Sequence, residues 1–477
     1  MGEEISRTQF APQDFERYKQ RLETETAWLK QCFDEHGFDA SPAVAGFELE
    51  AWLVDSDCMP TPNNAAFLAQ LNNPLASPEL ASFNIELNNT PRALTGHVCS
   101  AMHNELDTIW RKCREVATQL DNDIVMIGIL PTVENEALNL ANMSKMERYR
   151  ALNREVVRMR HGRPMQLDIH GEEHLKVIHR DVMLESAATS FQIHLQITQD
   201  ESVRMFNAST ILSAAMVALS ANSPFLFGKS LWDETRIPLF EQAVAVGGYD
   251  GAAFGPIRRV TFGDGYVRHS LFECFQDNLR HYPILLPVDI DDAVDKLSHV
   301  RLHNGTIWRW NRPLIGFNAA GKIHLRLEHR VVPAGPTIVD EVANASFFYG
   351  AVVALAQMET PPETQIKFEH ARDNFYKAAR LGLRAGSHWL DGRQIPLREL
   401  ILRILLPLAE DGLEGLGVAK SDFRPYLEII RERVETGCNG AHWQRAFVHK
   451  HGRDMAALTA AYLQRQHQGQ PVHSWTV

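Results

Sequence analysis

The chain has 477 residues, 45% apolar and 22% charged, a balance that rules against disorder and supplies a large core. Its net charge of −11, from 48 basic and 59 acidic side chains, rules against nucleic-acid binding by bulk electrostatics. Cys32, Cys58, Cys99, Cys113, Cys274 and Cys438 form no Cys-x-x-Cys pair and suit reduced thiols. The start Met1-Gly2-Glu3-Glu4-Ile5 lacks a basic, apolar leader, and no uninterrupted run of about 18 apolar residues offers a membrane span, so a cytoplasmic protein with no membrane partner is expected.

Phe15, Tyr18, Leu22, Trp28, Leu29 and Phe33 make an apolar stripe that predicts a helix over residues 12–36. Gly46-Phe47-Glu48-Leu49-Glu50-Ala51 then alternates like a strand, and Pro60, Pro62, Asn63 and Asn64 mark a loop. A second alternating strand, Phe83-Asn84-Ile85-Glu86-Leu87-Asn88, precedes a helix from His97 to Leu120 and an apolar strand from Ile124 to Leu130 that stops at Pro131. The polar stretch from Arg158 to Arg180, with four histidines, predicts a long loop or lid. Phe191-Gln192-Ile193-His194-Leu195-Gln196 is a third alternating strand, followed by an apolar helix near Ser209–Ser220. Gly247, Gly248, Gly251, Gly255 and Pro256 then punctuate a mobile segment. An aromatic strand over Trp308–Pro313 leads to the fourth alternating strand, His324-Leu325-Arg326-Leu327-Glu328-His329-Arg330. Helices are expected over Val342–Gln357, His370–Arg384, Pro396–Ala409 and Arg424–Thr436. Strands early and helices late predict an α+β fold with a mainly antiparallel sheet, flanking helices and a helical carboxy-terminal region. The expected division is a helical segment over 1–45, a catalytic α+β domain over 46–360 and a helical region over 361–477 packed on it.

Strand side chains alternate faces, so Glu48 shares a face with Glu50, Glu86 with Asn84 and Asn88, His194 with Gln196, and Arg326 with Glu328 and Arg330. The opposite faces carry Phe, Ile and Leu. One such strand suits a solvated sheet edge; four with complementary chemistry point to a reaction surface. If Glu48, Glu50, Glu79, Glu86 and Glu328 share one concavity, their repulsion and desolvation require cations. Oxygen ligands select Mg²⁺, or Mn²⁺, over zinc, and Mg²⁺ commonly binds together with substrate phosphates, so a metal-bound nucleotide is implied. His194 beside Gln196 suits a metal or phosphate contact. Arg326 and Arg330 suit phosphate, Arg330 the more sharply, with a surface ion pair as the alternative. Arg312, ending the aromatic strand, suits a substrate carboxylate or an exposed strand end. Two motifs are discounted. Gly228-Lys229-Ser230 ends like a phosphate-binding loop but has Ser223 where the leading glycine belongs. His170-Gly171-Glu172-Glu173-His174 has the spacing of an inverted zinc-protease motif but carries a glycine inside the required helix.

Gly46-Phe47-Glu48-Leu49-Glu50, Glu79, Glu86, His194 and Glu328-His329-Arg330, in this order, resemble the glutamate-cysteine ligase family, and within it the bacterial carboxylate-amine ligase branch, related in fold to glutamine synthetase. Tyr149-Arg150, Asn222-Ser223-Pro224, Arg236, Trp308–Pro313 and Asn439-Gly440-Ala441 are similar to segments of that branch. The resemblance implies a curved sheet of that type binding ATP and several Mg²⁺ ions, with Glu48, Glu50, Glu79, Glu86, His194 and Glu328 as metal ligands. It also implies that Arg330 meets the transferred phosphate. Catalytic roles are expected for Arg330 and Glu328, nucleotide contacts for Gln196 and Arg330, and substrate contacts for Arg312, Arg236, Tyr149 and Arg150. The implied reaction is amide formation through an acyl phosphate, from a small carboxylate such as glutamate to cysteine or another amine; a homo-oligomer is compatible with it. Val331-Val332-Pro333-Ala334-Gly335-Pro336-Thr337 departs from relatives that carry an aspartate soon after the arginine, which leaves the amine open. The competing readings are a catalytically silent nucleotide-binding or interaction protein and a zinc hydrolase using His170 and His174.

Overall fold

The computed structural model describes residues 4–5, 7–41, 43–246 and 258–477; the glycines and proline of the predicted mobile segment lie outside them. The first helix, Pro12–Asp34, starts where proline is favoured, and Asp14 caps it by accepting from the Ala11 N–H at 2.8 Å. Its buried stripe of Tyr18, Leu22, Leu29 and Phe33 joins the main core.

The sheet is a curled antiparallel half-barrel. Its strands are β1 (Val44–Val54), β2 (Ala76–Pro78), β3 (Asn84–Asn88), β4 (Arg92–Ala93), β5 (Asp123–Val125) and, after a separate hairpin of β6 (Met165–His170) and β7 (His174–His179), β8 (Phe191–Ile197), β9 (Asn311–Phe317) and β10 (Ile323–His329). The order across it is β9-β10-β8-β1-β3-β2, with β4 and β5 pairing the ends of β1. The alternation read from the sequence is realised. Phe47, Leu49, Ala51, Ile85, Leu87, Ile193, Leu195, Leu325 and Leu327 all enter one buried core on the sheet's apolar side.

Two helices, Ser202–Ser220 and Ile338–Ala356, pass a length and hydropathy test for membrane spans, yet 89% of each tested window is buried inside the molecule as core. From the second, Tyr349 Oη donates to the carbonyl of Gly46 on β1 (2.9 Å) and lies 3.2 Å from the carbonyl of His194 on β8, tying the core to the strands above it. The helices Leu406–Gly415 and Lys420–Thr436 pack on the same element, where buried Arg433 bonds Asp340 at 2.7 Å and Asn344 Oδ1 at 2.6 Å.

Three expectations change. The stretch predicted as a loop or lid from Arg158 to Arg180 is largely the β6–β7 hairpin, in which Met165, Leu167 and Ile169 are buried and Gln166, Asp168 and His170 exposed. Period-two alternation was present in this stretch but masked by its overall polarity. The apolar strand expected over Ile124–Leu130 pairs only at Asp123–Val125. Beyond it the backbone finds partners from a late helix, Met455–Gln468: Met126 N–H donates to Gln466 Oε1 (3.1 Å), and its carbonyl accepts from Tyr462 Oη (3.1 Å) and Gln466 Nε2 (2.8 Å). The helix expected over Pro396–Ala409 is divided into Leu397–Leu400, a π turn over Ile401–Leu405, and Leu406–Gly415.

The helix crossing at Gly350 is set by backbone contact. A Cβ there would lie 2.1 Å from the Ala409 carbonyl oxygen, and one at Gly412 would lie 2.0 Å from the carbonyl oxygen of Gly350. Gly350→Ala should therefore cost about 1–3 kcal/mol by forcing the helices apart. Thermal unfolding of the variant checks this, and an unchanged midpoint would show that the crossing relaxes freely.

Candidate active site

Antiparallel register brings the polar side chains of five strands together. Glu328 faces both Arg312 on β9 and His194 on β8, Arg326 faces Gln196, Glu48 lies between Gln192 and Asn88, and Glu50 stands opposite Glu86. One ligand atom from each of Glu48, His194 and Glu328 lies within 4.8 Å of the other two. His194 Nε2 is buried without a hydrogen-bond partner, 3.5 Å from Glu48 Oε1 and 3.8 Å from Glu328 Oε1. An unpartnered imidazole nitrogen aimed between two carboxylates fits a divalent cation, and the largely carboxylate surroundings favour a hard one.

Glu328 is gripped from two sides. Arg312 donates Nε to Oε2 (2.8 Å) and Nη2 to Oε1 (2.9 Å), and Arg330 Nη1 adds a bond to Oε2 at 2.9 Å. Burial alone would raise this carboxyl, but Arg312, Arg330 and His194 hold it well below the usual carboxylate range. Arg330 Nη1 also donates to Gln192 Oε1, and Gln192 Nε2 donates to Glu50 Oε1 at 3.0 Å. Ser190 completes the hold on Glu50 through its N–H (2.7 Å) and Oγ (3.0 Å).

The other end has fewer cations. Burial, with repulsion from Glu79, pushes Glu50 up to about 7 against the pull of Arg330. Glu86 is raised well above the ordinary range by burial and by Glu48, Glu79 and Glu50. Glu79 is raised by burial, opposed by its hydrogen bond to Glu86 and by Arg148. Asn88 Nδ2 donates to Glu86 Oε1 at 2.8 Å.

The expected substrate contacts divide. Tyr149 faces inward, its Oη accepting from Arg148 Nη2 (2.6 Å) and donating to the Pro78 carbonyl (3.2 Å). Arg150, next along the Glu147–Met159 helix, is exposed and pairs with Glu147. Helical geometry thus turns Arg148 toward the Glu79 end and Arg150 away from it. Arg312 spends its fork on Glu328. Arg236 is buried, with Nε on Glu234 Oε1 (3.2 Å) and Nη2 on the carbonyls of Val331 (2.6 Å) and Arg330 (3.1 Å), so it braces the backbone that carries Arg330. Gln196 is buried beside Arg326 on the polar face.

Sequence reasoning missed Gln192, although it shares the alternation of His194 and Gln196, and Glu185, which lies in a 3-10 turn with no periodic signal. Burial and the charges of Glu79 and Glu50 push Glu185 up to about 8, with Arg330 opposing. The discounted motifs contribute no ligand to the Glu48–His194–Glu328 group. Lys229 and Ser230 form a short edge strand, and His170 to His174 forms the tip of the β6–β7 hairpin.

The family model for glutamate-cysteine ligase family 2 matches residues 44–469. No curated protein matches the chain in sequence. Among solved structures, a glutamate–cysteine ligase from Francisella tularensis in complex with AMP is similar, with a TM-score of 0.53 and 11% identity over 92% of this chain and 90% of that one. A bifunctional glutathione synthetase from Pasteurella multocida has a TM-score of 0.50 and 11% identity, covering 93% of this chain and 55% of that one. These likenesses concern the fold.

Two outcomes follow from the charge distribution. Glu50 and Glu185 have folded pKa values above their unfolded ones, so between about pH 4.5 and 8 the native state binds more protons than the unfolded chain. Metal-free protein should therefore lose stability as pH rises through that window, and Mg²⁺ should offset the loss; denaturant midpoints measured with EDTA and with Mg²⁺ check this. Arg312→Gln leaves buried Glu328 with one guanidinium fewer and should cost about 3–5 kcal/mol. Urea unfolding of that variant, compared with wild type, tests the grip.

Proposed function

The chain belongs to glutamate-cysteine ligase family 2, and from that premise we propose that it is an ATP-dependent carboxylate-amine ligase working on the polar face of the sheet. The observation that carries this reading is the largely buried Glu48–His194–Glu328 cluster with Arg330 bonded to Glu328. Glu48, Glu50, Glu79, Glu86, His194 and Glu328 would hold the divalent cations, Mg²⁺ or Mn²⁺. Bound there, such ions neutralise phosphate charge and organise the nucleotide.

A carboxylate is a poor electrophile. Transfer of the ATP γ-phosphoryl group to one of its oxygens gives an acyl phosphate and ADP. An amine then attacks the carbonyl carbon, phosphate departs with the carbon–oxygen bonding pair, and the nitrogen loses a proton. The protein forms no covalent bond in this sequence, so positioning and charge carry the catalysis. Arg330 stabilises the transferring group, its side chain set by Glu328 and Gln192 and its backbone by Arg236. Arg312 keeps Glu328 ionised, and Gln196 lies on the face assigned to the nucleotide. Tyr149 and Arg148, beside Glu79, are better placed than Arg150 to meet the carboxylate substrate. The family's description supports glutamate as that carboxylate and cysteine or another amine as acceptor.

Purified protein given Mg-ATP, glutamate and a panel of amines should release ADP together with an amide detectable by mass spectrometry. Arg330→Lys should lower kcat by roughly 10²-fold or more, the scale of losing one charge-stabilising donor, and Glu328→Gln should abolish turnover. The reading fails if no carboxylate and amine pair elicits ADP while Glu328→Gln binds Mg-ATP as well as wild type. Nucleotide binding without turnover would favour the silent nucleotide-binding protein.

A further inference from the structure

The tip of the β6–β7 hairpin holds a second cluster that the ligase chemistry does not use. His170 and His174 face each other across the hairpin, and Asp168 sits two residues before His170 on the same exposed face. The two imidazoles stack at 3.9 Å between centroids with 11° between their planes. Both direct Nε2 at one oxygen, Asp168 Oδ1, at 3.1 Å from His170 and 2.8 Å from His174. One ligand atom from each residue lies within 4.8 Å of the other two.

The backbone beneath this triad is pinned. Gln242 accepts from the Asp168 N–H (2.8 Å) and donates to its carbonyl at 3.4 Å, and Trp232 Nε1 donates to the His170 carbonyl at 2.8 Å. At the tip, Glu173 accepts from the Ser230 N–H (2.8 Å) and pairs with Lys229 and Arg453, and Glu172 pairs with Arg445. Gly171 fits because it has no side chain: a Cβ there would lie 2.4 Å from Leu231 Cα. The hairpin tip is therefore held fixed while the two imidazoles and the carboxylate remain open to solvent. Glu173, the acid that an inverted protease motif would use as its base, is occupied by Lys229, Arg453 and the Ser230 N–H. Hydrolytic chemistry of that kind does not follow.

We propose that Asp168, His170 and His174 form a binding site for a late first-row divalent cation such as Zn²⁺, separate from the carboxylate face. Two imidazole nitrogens and one carboxylate oxygen suit that class rather than Mg²⁺, and solvent fills the remaining position. Asp168 Oδ1 serves the metal while Oδ2 faces Lys176 Nζ at 3.8 Å. Binding at Nε2 places each ring's proton on Nδ1, so neutral imidazoles release no net proton.

Equilibrium dialysis of the untagged full-length chain against Zn²⁺, in saturating Mg²⁺, tests the site. Wild type should hold one more zinc per chain than His170→Ala/His174→Ala. Asp168→Asn should weaken that zinc by about tenfold or more, since losing a ligand costs at least as much as losing a group that supports one. All three side chains are at least 41% exposed, so the variants should keep the circular dichroism and thermal midpoint of metal-free wild type. Equal zinc content in wild type and the double variant, or no zinc in wild type, would overturn the proposal. Zinc retained on Glu48, His194 and Glu328 cancels in the difference, so failure of the ligase reading would leave this result unaffected.

Discussion

Charge taken out of water on one face of a sheet needs compensation from cations, protons or hydrogen bonds, and this requirement organises the molecule. The face meets it unevenly. At the β9–β10 side, Arg312 and Arg330 surround Glu328 and keep it ionised. At the β1–β3 side, Glu50, Glu79 and Glu86 crowd together with Arg148 and Arg330 as their main counter-charges, and their carboxyls rise. A carboxyl held protonated by its neighbours is a site where a metal ion can replace a proton. The gradient across the sheet thus runs from an anion compensated by protein guanidiniums to a group of acids whose charge the protein compensates less.

Such a surface demands a stiff support, because opposed and like charges a few ångströms apart reward small rearrangements. The apolar side supplies it. His329, next to Glu328 in sequence and therefore on the other face, is buried against Phe348 with Nδ1 at 2.7 Å from Asn311 Oδ1. Burial and the charge of Arg236 depress its pKa to about 3, so it stays neutral beneath the charged face. Tyr349 bonds backbone carbonyls on β1 and β8, and Arg236 bonds those of Arg330 and Val331. The close crossing at Gly350 and Gly412 in turn fixes the helix that carries Tyr349.

The sheet's faces were legible because period-two alternation is a local property, and antiparallel pairing preserved it across Glu48, Glu50, Glu86, His194 and Glu328. Pairing partners were not legible. That Arg312 faces Glu328, rather than a substrate, depends on register between β9 and β10, which no local pattern encodes. The choice between Arg148 and Arg150 depended on the rotation of one helix, and a two-residue difference reversed the side chain's direction. Arg236 was visible as a charged residue, but its buried role needed Glu234 and the carbonyls after β10 to be placed around it. Glu185, in a 3-10 turn, left no periodic trace at all.

The hairpin shows the same limit from the opposite direction. His170-Gly171-Glu172-Glu173-His174 reads as a helical motif only if residues four apart meet on a helix; in a hairpin the same two histidines meet across a turn. That change of geometry exchanges the apparent acid as well. Glu173 is drawn into contacts with Lys229 and Arg453, and Asp168, two residues before His170 on one strand face, takes its place beside the imidazoles. The two clusters then differ in hardness: five carboxylates and one buried imidazole on the sheet, and two imidazoles around one exposed carboxylate on the hairpin. Cations that prefer oxygen and phosphate are favoured at the first, and those that prefer nitrogen at the second. The separation of two metal chemistries in one chain would thus rest on ligand type and backbone geometry, with no difference in net charge required.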